Sequence, residues 1–335
     1  MKKFILIVLI LFSSLLGANT LKIATYNVEN LFDLYKDGYE YKEYIPYGHA
    51  RWNRKNYQIK LNNISRVIAD MNADIIALQE IESLQALKDL RKKLQQKGIY
   101  YKYYAIANLK NTTVKVALLS KIPFVYAKEI AVASSFRFRN ILEVKYNYKG
   151  QEFYILVNHW KSKSGPESMR LRSAKVLKKR IAELGYNKKI IALGDFNSDY
   201  EEYKSFKRKR RLNDTNGITG INHILGTINY QKPVFHLKLD DGDLYNLWYD
   251  LPKYLRYTHT YKKYKEALDS ILISNALLNG RGLQYKKHSF TPFRAPYLFD
   301  KKHHVYRWQM TRKKNGKHKG KGYSDHLPLM ATFTY

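Results

Sequence analysis

Apolar and polar positions follow two different periods along this chain, and the switches between them mark its elements. Leu21-Lys22-Ile23-Ala24-Thr25-Tyr26 alternates loosely and predicts a strand. Residues 54–71 carry Tyr57, Leu61, Ile64, Ile68 and Met71 at helical spacing and predict an amphipathic helix. Ile75-Ile76-Ala77-Leu78 is a short apolar run, the pattern of a buried strand. Ser83 is placed to cap a helix that runs to Gly98. Strand patterns follow over 101–107, 114–120, 124–132, 140–148 and 152–158, the last two joined by a hairpin turn at Lys149-Gly150. Pro166 suits the first turn of a helix reaching Gly185. Further strands are predicted over 189–193, Leu268 to Ile273 and Leu327 to Tyr335. Residues 35–53 read as loop, and about 200 to 262 shows no clear period. Strands and helices alternate early and strands dominate the middle. That order predicts an α/β sandwich of two sheets with outer helices, the halves 19–185 and 186–335 each supplying one sheet of a single domain over 19–335.

The polar residues at the ends of these apolar runs change the picture. Asn27 follows the first strand and Glu80 the second. His159 ends the strand at 152–158. Ile190-Ile191-Ala192-Leu193 feeds Gly194 and then delivers Asp195 and Asn197, two residues apart. Asp269 opens one strand, and Asp325 and His326 open the last. Each alone is a turn former, a helix cap or a packed histidine. Together, at strand termini, they describe one polar site.

Composition sets bounds on what such a site can do. Apolar residues make up 45% of 335, enough for a sizeable core. There is no cysteine, which excludes disulfides, thiolate metal sites and a cysteine nucleophile. The formal charge is +32, from 60 Lys and Arg against 28 Asp and Glu. Such a charge attracts polyanions, nucleic acid foremost, with an anionic membrane or surface polysaccharide as alternatives. The runs Lys207 to Arg211 and Arg312 to Lys321 read as solvated charge able to meet backbone phosphate. Asp240, Asp241 and Asp243 lack EF-hand spacing and read as a surface loop.

Lys2-Lys3, the apolar run Phe4 to Phe12 and the small residues Gly17-Ala18 have the form of an export signal over 1–18, cleaved near Ala18. The expected mature chain is soluble, monomeric and periplasmic or secreted, with no stable membrane association.

The motifs Thr25-Tyr26-Asn27-Val28-Glu29-Asn30, Leu78-Gln79-Glu80, Asn158-His159-Trp160, Gly194-Asp195-Phe196-Asn197, Leu268-Asp269 and Ser324-Asp325-His326 stand in the order of the endonuclease/exonuclease/phosphatase superfamily, which the chain resembles from end to end. Asn158 to Lys163 followed by Arg170 looks most like its bacterial exported nuclease branch. The resemblance implies a four-layer α/β sandwich of two mostly antiparallel sheets flanked by helices. It implies a phosphodiesterase, here a nuclease acting on DNA or RNA through backbone phosphates with little sequence specificity. Hard oxygen ligands suit Mg²⁺, with Mn²⁺ or Ca²⁺ as alternatives. Glu80 is the first choice as metal ligand, helped by Asn27 and Asp325. His326, its other ring nitrogen held by Asp269, is one candidate base and Asp195 the other. His159 would bind phosphate or protonate the leaving oxygen, and Asp195 with Asn197 would orient the nucleophile. Lys161, Lys163 and Arg170 would line a phosphate groove.

One departure concerns His159. In the pancreatic-type enzyme a glutamate on a middle strand orients that histidine, and Thr113 to Ser120 contains no acid here. Competing functions on the same frame are a sphingomyelinase-type lipid phosphodiesterase, whose apolar membrane hairpin would have to be Phe290 to Phe299, and an inositol-phosphate phosphatase. A basic nucleic-acid-binding protein with a dead site is the competitor from another class.

Overall fold

The first strand, β1 (Thr20–Leu31), lies between the second and the last and so ties the two ends of the chain together. The structure, a computed structural model, describes residues 19–109, 112–206, 211–227, 239–261, 264–311 and 316–335. The export signal over 1–18 lies outside them, as do 207–210 and 312–315 of the two basic runs. After β1 come α1 (Arg54–Met71), β2 (Ile75–Ile81), α2 (Leu84–Gln95), β3 (Tyr103–Ile106) and β4 (Lys115–Ser120). Then follow β5 (Tyr126–Ile130), β6 (Ile141–Tyr148), β7 (Gln151–His159), α3 (Glu167–Leu184), β8 (Ile190–Asp195) and the short α4 (Glu202–Ser205). The chain ends with β9 (Leu244–Asn246), β10 (His259–Tyr261), β11 (Tyr264–Glu266), β12 (Asp269–Ser274), β13 (Gln284–Tyr285), β14 (Thr291–Pro292) and β15 (Leu329–Thr334).

Local chemistry sets the boundaries. Asn53 Oδ1 accepts from Asn56 N–H and starts α1, and Ser83 Oγ accepts from Ala86 N–H and starts α2. Lys149 and Gly150 take positive φ of 48° and 75°, the hairpin geometry expected between β6 and β7. Pro166 sits one residue before α3 rather than inside its first turn.

One sheet has the order β13-β15-β1-β2-β4-β3, with β14 also on β15, and the other β5-β6-β7-β8-β12-β9. Pairing is antiparallel except for β1 with β2 and β7 with β8. The expected split of sheets by chain half does not hold. The antiparallel pairing of β15 with β1 returns the C-terminal strands to the N-terminal sheet, so β5 to β9 with β12 build the other, and β10 pairs with β11 in a separate two-stranded sheet. Alternation explains the layers. Ile23, Ile75, Leu118, Val157, Leu193 and Ile271 face inward between the sheets, while Ile76 and Leu78 face α1 and α2. Ile190, Ala192 and Leu272 pack under Leu177 and Ile181 of α3. The result is the four-layer α/β sandwich. Asp243, from the acidic cluster, pairs with Lys178 of α3 at 2.8 Å and ties its loop to that helix. Among the described residues, no helix is long and apolar enough to cross a membrane.

Candidate active site

The C-terminal ends of the two parallel strand pairs meet at one rim of the sandwich. On β1 and β2, Asn27 lies opposite Gln79, and the register then slips so that Leu31 meets Ile81. The irregularity places Glu29, Asn30 and Glu80 in the left-handed region, with φ of 50°, 63° and 65°. In regular alternation Glu80 would face the helices, as Leu78 does. The left-handed backbone re-aims it toward Asn27, at a cost of about 1–3 kcal/mol. Asn27 Nδ2 donates to Glu80 Oε1 at 3.1 Å and to Asp195 Oδ2 at 3.0 Å. That side chain therefore joins the two sheets.

On the other sheet His159 pairs with Asp195 and Asp195 with Asp269. Gly194 makes this approach available. Its φ is 131°, and a Cβ there would lie 2.0 Å from the Asn158 carbonyl oxygen. Asn197, φ 48°, donates its backbone N–H to Asp195 Oδ1 at 2.8 Å, and its amide to Asp195 Oδ2 and the Trp160 carbonyl, both at 3.1 Å. His159 Nε2 stands 3.6 Å from Asp195 and 3.8 Å from Glu80. Its Nδ1 is buried with no hydrogen-bond partner among the described residues, in keeping with the acid-free β4.

A third group comes from the last strands. Asp269 Oδ2 lies 2.7 Å from His326 Nδ1 and also accepts from the Thr258 hydroxyl. Ser324 donates to the Asn27 carbonyl and accepts from the His326 N–H, which moors this segment to β1. Asp325 sits 3.8 Å from His326 Nε2, 3.5 Å from Arg307 and 4.0 Å from His259. Arg307 is anchored on Glu29, which also accepts from the Trp308 N–H.

Burial and crowding set the protonation states. Burial pushes Asp195 up to about 7 against the pull of His326, and raises Glu80 together with the charge of Asp325. Glu29 rises to about 7 for the same two reasons. Burial, helped by Arg139, holds His159 well below the ordinary histidine value, so it is neutral. Burial also opposes a charge on His326, but Asp269, Asp325 and Asp195 outweigh it and hold the imidazolium well above neutral.

The donor set fits a hard divalent cation. Glu80 and Asp325 are largely shielded carboxylates, the charge of Asp325 raising the cost of ionising Glu80, and His159 beside them is neutral. Asn27 differs from the expectation of a ligand. Its Oδ1 accepts the Glu29 N–H at 3.0 Å, and it turns its amide nitrogen to the carboxylates.

The expected groove residues divide. Lys161 lines a cavity of about 180 Å³ beside His159, together with Tyr41, Phe136, Arg137 and Arg139. Lys163 is instead held by Glu202 at 2.8 Å and Glu266 at 3.0 Å. Arg170 is 0% exposed and does not reach the groove. It pairs with Glu167 at 2.7 Å and donates to the carbonyls of Lys161, Ser162 and Gly165, clamping the loop after His159. Sequence reading missed Arg137 and Arg139, although the alternating Phe136-Arg137-Phe138-Arg139 was a visible signal. It also missed Thr258, His259 and the Glu29–Arg307 pair, which follow no period and meet only through the fold.

Residues 22–334 match the endonuclease/exonuclease/phosphatase family. The chain belongs to that family. Its members are phosphodiesterases and phosphatases that use divalent metal ions, and this chain carries carboxylate and histidine groups able to hold one. D. rerio TDP2 complexed with a single-strand DNA product has the same fold, with a TM-score of 0.59 at 15% identity over 94% of this chain and 99% of that one. Truncated Caenorhabditis elegans TDP2 gives 0.56 at 16% identity, over 94% and 98%. A mannosyl-6-phosphatase of Bacteroides thetaiotaomicron VPI-5482 gives 0.56 at 15% identity, over 94% and 100%. A search of curated proteins found no match.

Proposed function

We propose that this family member is an exported, monomeric, Mg²⁺-dependent nuclease that hydrolyses phosphodiester bonds of DNA, or RNA, with little sequence specificity. The observation that carries this reading is the wall beside His159. There Arg137, Arg139 and Lys161 stand with Tyr41 and with Phe136, which is 74% exposed. Cations for a phosphate backbone next to an exposed aromatic face suit a nucleic-acid strand. The formal charge of +32 supports the same partner at longer range. D. rerio TDP2, which shares the fold, was crystallised with a single-strand DNA product. The lipid alternative has less support, because Phe290 and Leu298 of its required membrane hairpin are 1% and 2% exposed.

Glu80 and Asp325 would hold the cation, which supplies charge neutralisation at the reacting phosphate. Asp195, titrating near about 7 and oriented by Asn27 and Asn197, takes the proton from the attacking water. The water oxygen bonds to phosphorus, the bond to the leaving oxygen breaks, and that oxygen takes a proton from solvent. His326, kept charged by Asp269, binds the phosphate oxygens as the negative charge grows. Neutral His159 donates from Nε2 to the same group.

The test offers plasmid DNA, sphingomyelin vesicles and a phosphate monoester to purified protein, with Mg²⁺ and with a chelator. DNA cleavage that stops with the chelator is expected. Intact DNA beside a cleaved lipid or monoester overturns the reading. N-terminal sequencing of the exported protein should begin near Asn19.

A further inference from the structure

His259 has no part in the chemistry above, yet it stands against the catalytic histidine. An isolated β-bridge sets His259 beside His326, with ring centroids 5.2 Å apart. Their Nε2 atoms approach different oxygens of one carboxylate: His326 lies 3.8 Å from Asp325 Oδ1 and His259 4.0 Å from Oδ2. One donor atom from each of the three residues falls within 4.8 Å of the others. Behind each ring stands a second carboxylate. Asp269 holds His326 Nδ1 at 2.7 Å, and Glu266 lies 3.9 Å from His259 Nδ1, an atom that is buried without a hydrogen-bond partner among the described residues. A carboxylate behind an imidazole that presents its other nitrogen forward is the usual support of a metal-ligating histidine; Asp269 gives it to His326, and Glu266 stands on the same side of His259.

We propose that His259, Asp325 and His326 form a second metal site, which takes a transition-metal cation such as Zn²⁺ and shuts the enzyme off. Two imidazoles and one carboxylate select Zn²⁺ over Mg²⁺, which prefers the all-oxygen donors around Glu80. Arg307, 3.5 Å from Asp325 Oδ2, is the competing cation, but its primary anchor is Glu29. Occupation releases the Nε2 proton of the His326 imidazolium to solvent, ties up that nitrogen and removes Asp325 from the Mg²⁺ side. The binding half stands on the geometry alone. The inhibitory half rests on the nuclease reading.

The two halves are measured separately. Co²⁺ is titrated into substrate-free protein in excess Mg²⁺, following the visible bands of nitrogen-ligated cobalt. Zn²⁺ is then titrated into the Mg²⁺-supported DNA assay. His259→Gln should keep Mg²⁺-supported cleavage, weaken Co²⁺ binding by about tenfold or more and raise the inhibitory Zn²⁺ concentration by a like factor. Glu266→Gln keeps all three ligands and should give a smaller loss in both. Unchanged Co²⁺ binding in both variants overturns the site. Weakened Co²⁺ binding with unchanged Zn²⁺ inhibition overturns the regulatory role. If the wild-type protein cleaves no DNA, the cobalt titration still decides the site.

Discussion

Asp269 Oδ2 and His326 Nδ1 are 2.7 Å apart, and the same carboxylate oxygen accepts from the Thr258 hydroxyl. The pair fixes the ring so that Nε2 faces the rim where Asp195 and Asp325 stand. Asp269→Asn keeps the shape and removes the charge that sustains the imidazolium. We expect kcat to fall by about 10²- to 10⁴-fold, with His326→Ala no worse in combination than alone. Steady-state kinetics on the two single variants and the double variant check this; additive losses would show that the residues act separately.

Glu82 lies two residues past Glu80 and accepts from the Asp33 N–H, and its burial gives a pH prediction for the fold. Burial and then the neighbouring Asp33 push its carboxyl up to about 7. A carboxyl raised on folding stabilises the folded state at low pH, and that contribution is lost as pH rises from its unfolded value toward 7. Glu82→Gln mimics the protonated form. The variant should match wild type near pH 5 and exceed it at pH 8 by about 1–2 kcal/mol after solvent screening. Urea unfolding at both pH values is the measurement, and a variant weaker at pH 8 contradicts it.

How much of this was legible in the sequence depends on whether a residue sits in a periodic element. Strands β1, β2, β7, β8 and β12 announce themselves by apolar runs, so the polar residues at their ends, Asn27, Glu80, His159, Asp195 and Asp269, were locatable. Their orientation was not, because the left-handed backbone at Glu80 and Asn197 has no apolar signature. Arg170 was misplaced since charge next to a site motif looks like a groove residue, whereas burial beside Glu167 depends on tertiary packing. The order of strands hid for the same reason: β15 returns to β1 by a pairing that only three dimensions reveal. His318 shows the limit inside a basic tail, for it is buried and accepts from the Trp308 indole N–H at 2.8 Å.

Gly194, next to last in β8, lets that strand close on β7 beside the site. With φ at 131° and the Asn158 carbonyl where a Cβ would go, Gly194→Ala must part β7 from β8 or twist Asp195 away. We expect a loss on the order of 3 kcal/mol in stability, and a fall in kcat beyond what residual folding explains. Thermal melts with activity measured well below the melting point separate the two effects.

Arg170→Ala should act on the fold rather than on substrate. It leaves Glu167 buried without its charged partner and the Lys161 and Gly165 carbonyls without a donor, which costs about 3–5 kcal/mol. In protein that remains folded, KM for DNA should stay near wild type. Glu167→Gln in the same background removes the orphaned charge and should recover part of the loss. A large rise in KM at unchanged stability would return Arg170 to the groove.

The basic wall makes a prediction that Arg170 cannot share. Arg137, Arg139 and Lys161 line one cavity beside His159, and each phosphate they neutralise releases counterion from the nucleic acid. Binding to single-stranded DNA should therefore weaken steeply with salt, with a slope of log K against log salt of about −0.7 for each neutralised phosphate. Replacing the three with alanine should make that slope shallower by about 0.7 for each phosphate no longer neutralised, and weaken binding evenly across unrelated sequences. Phe136→Ala should weaken binding without changing the slope, because a stacked base carries no counterion. Fluorescence anisotropy with a single-stranded oligonucleotide and Ca²⁺ in place of Mg²⁺, across a salt series, reads both effects. A triple variant with the wild-type slope would move the phosphate path away from this wall and leave the +32 charge acting only at long range.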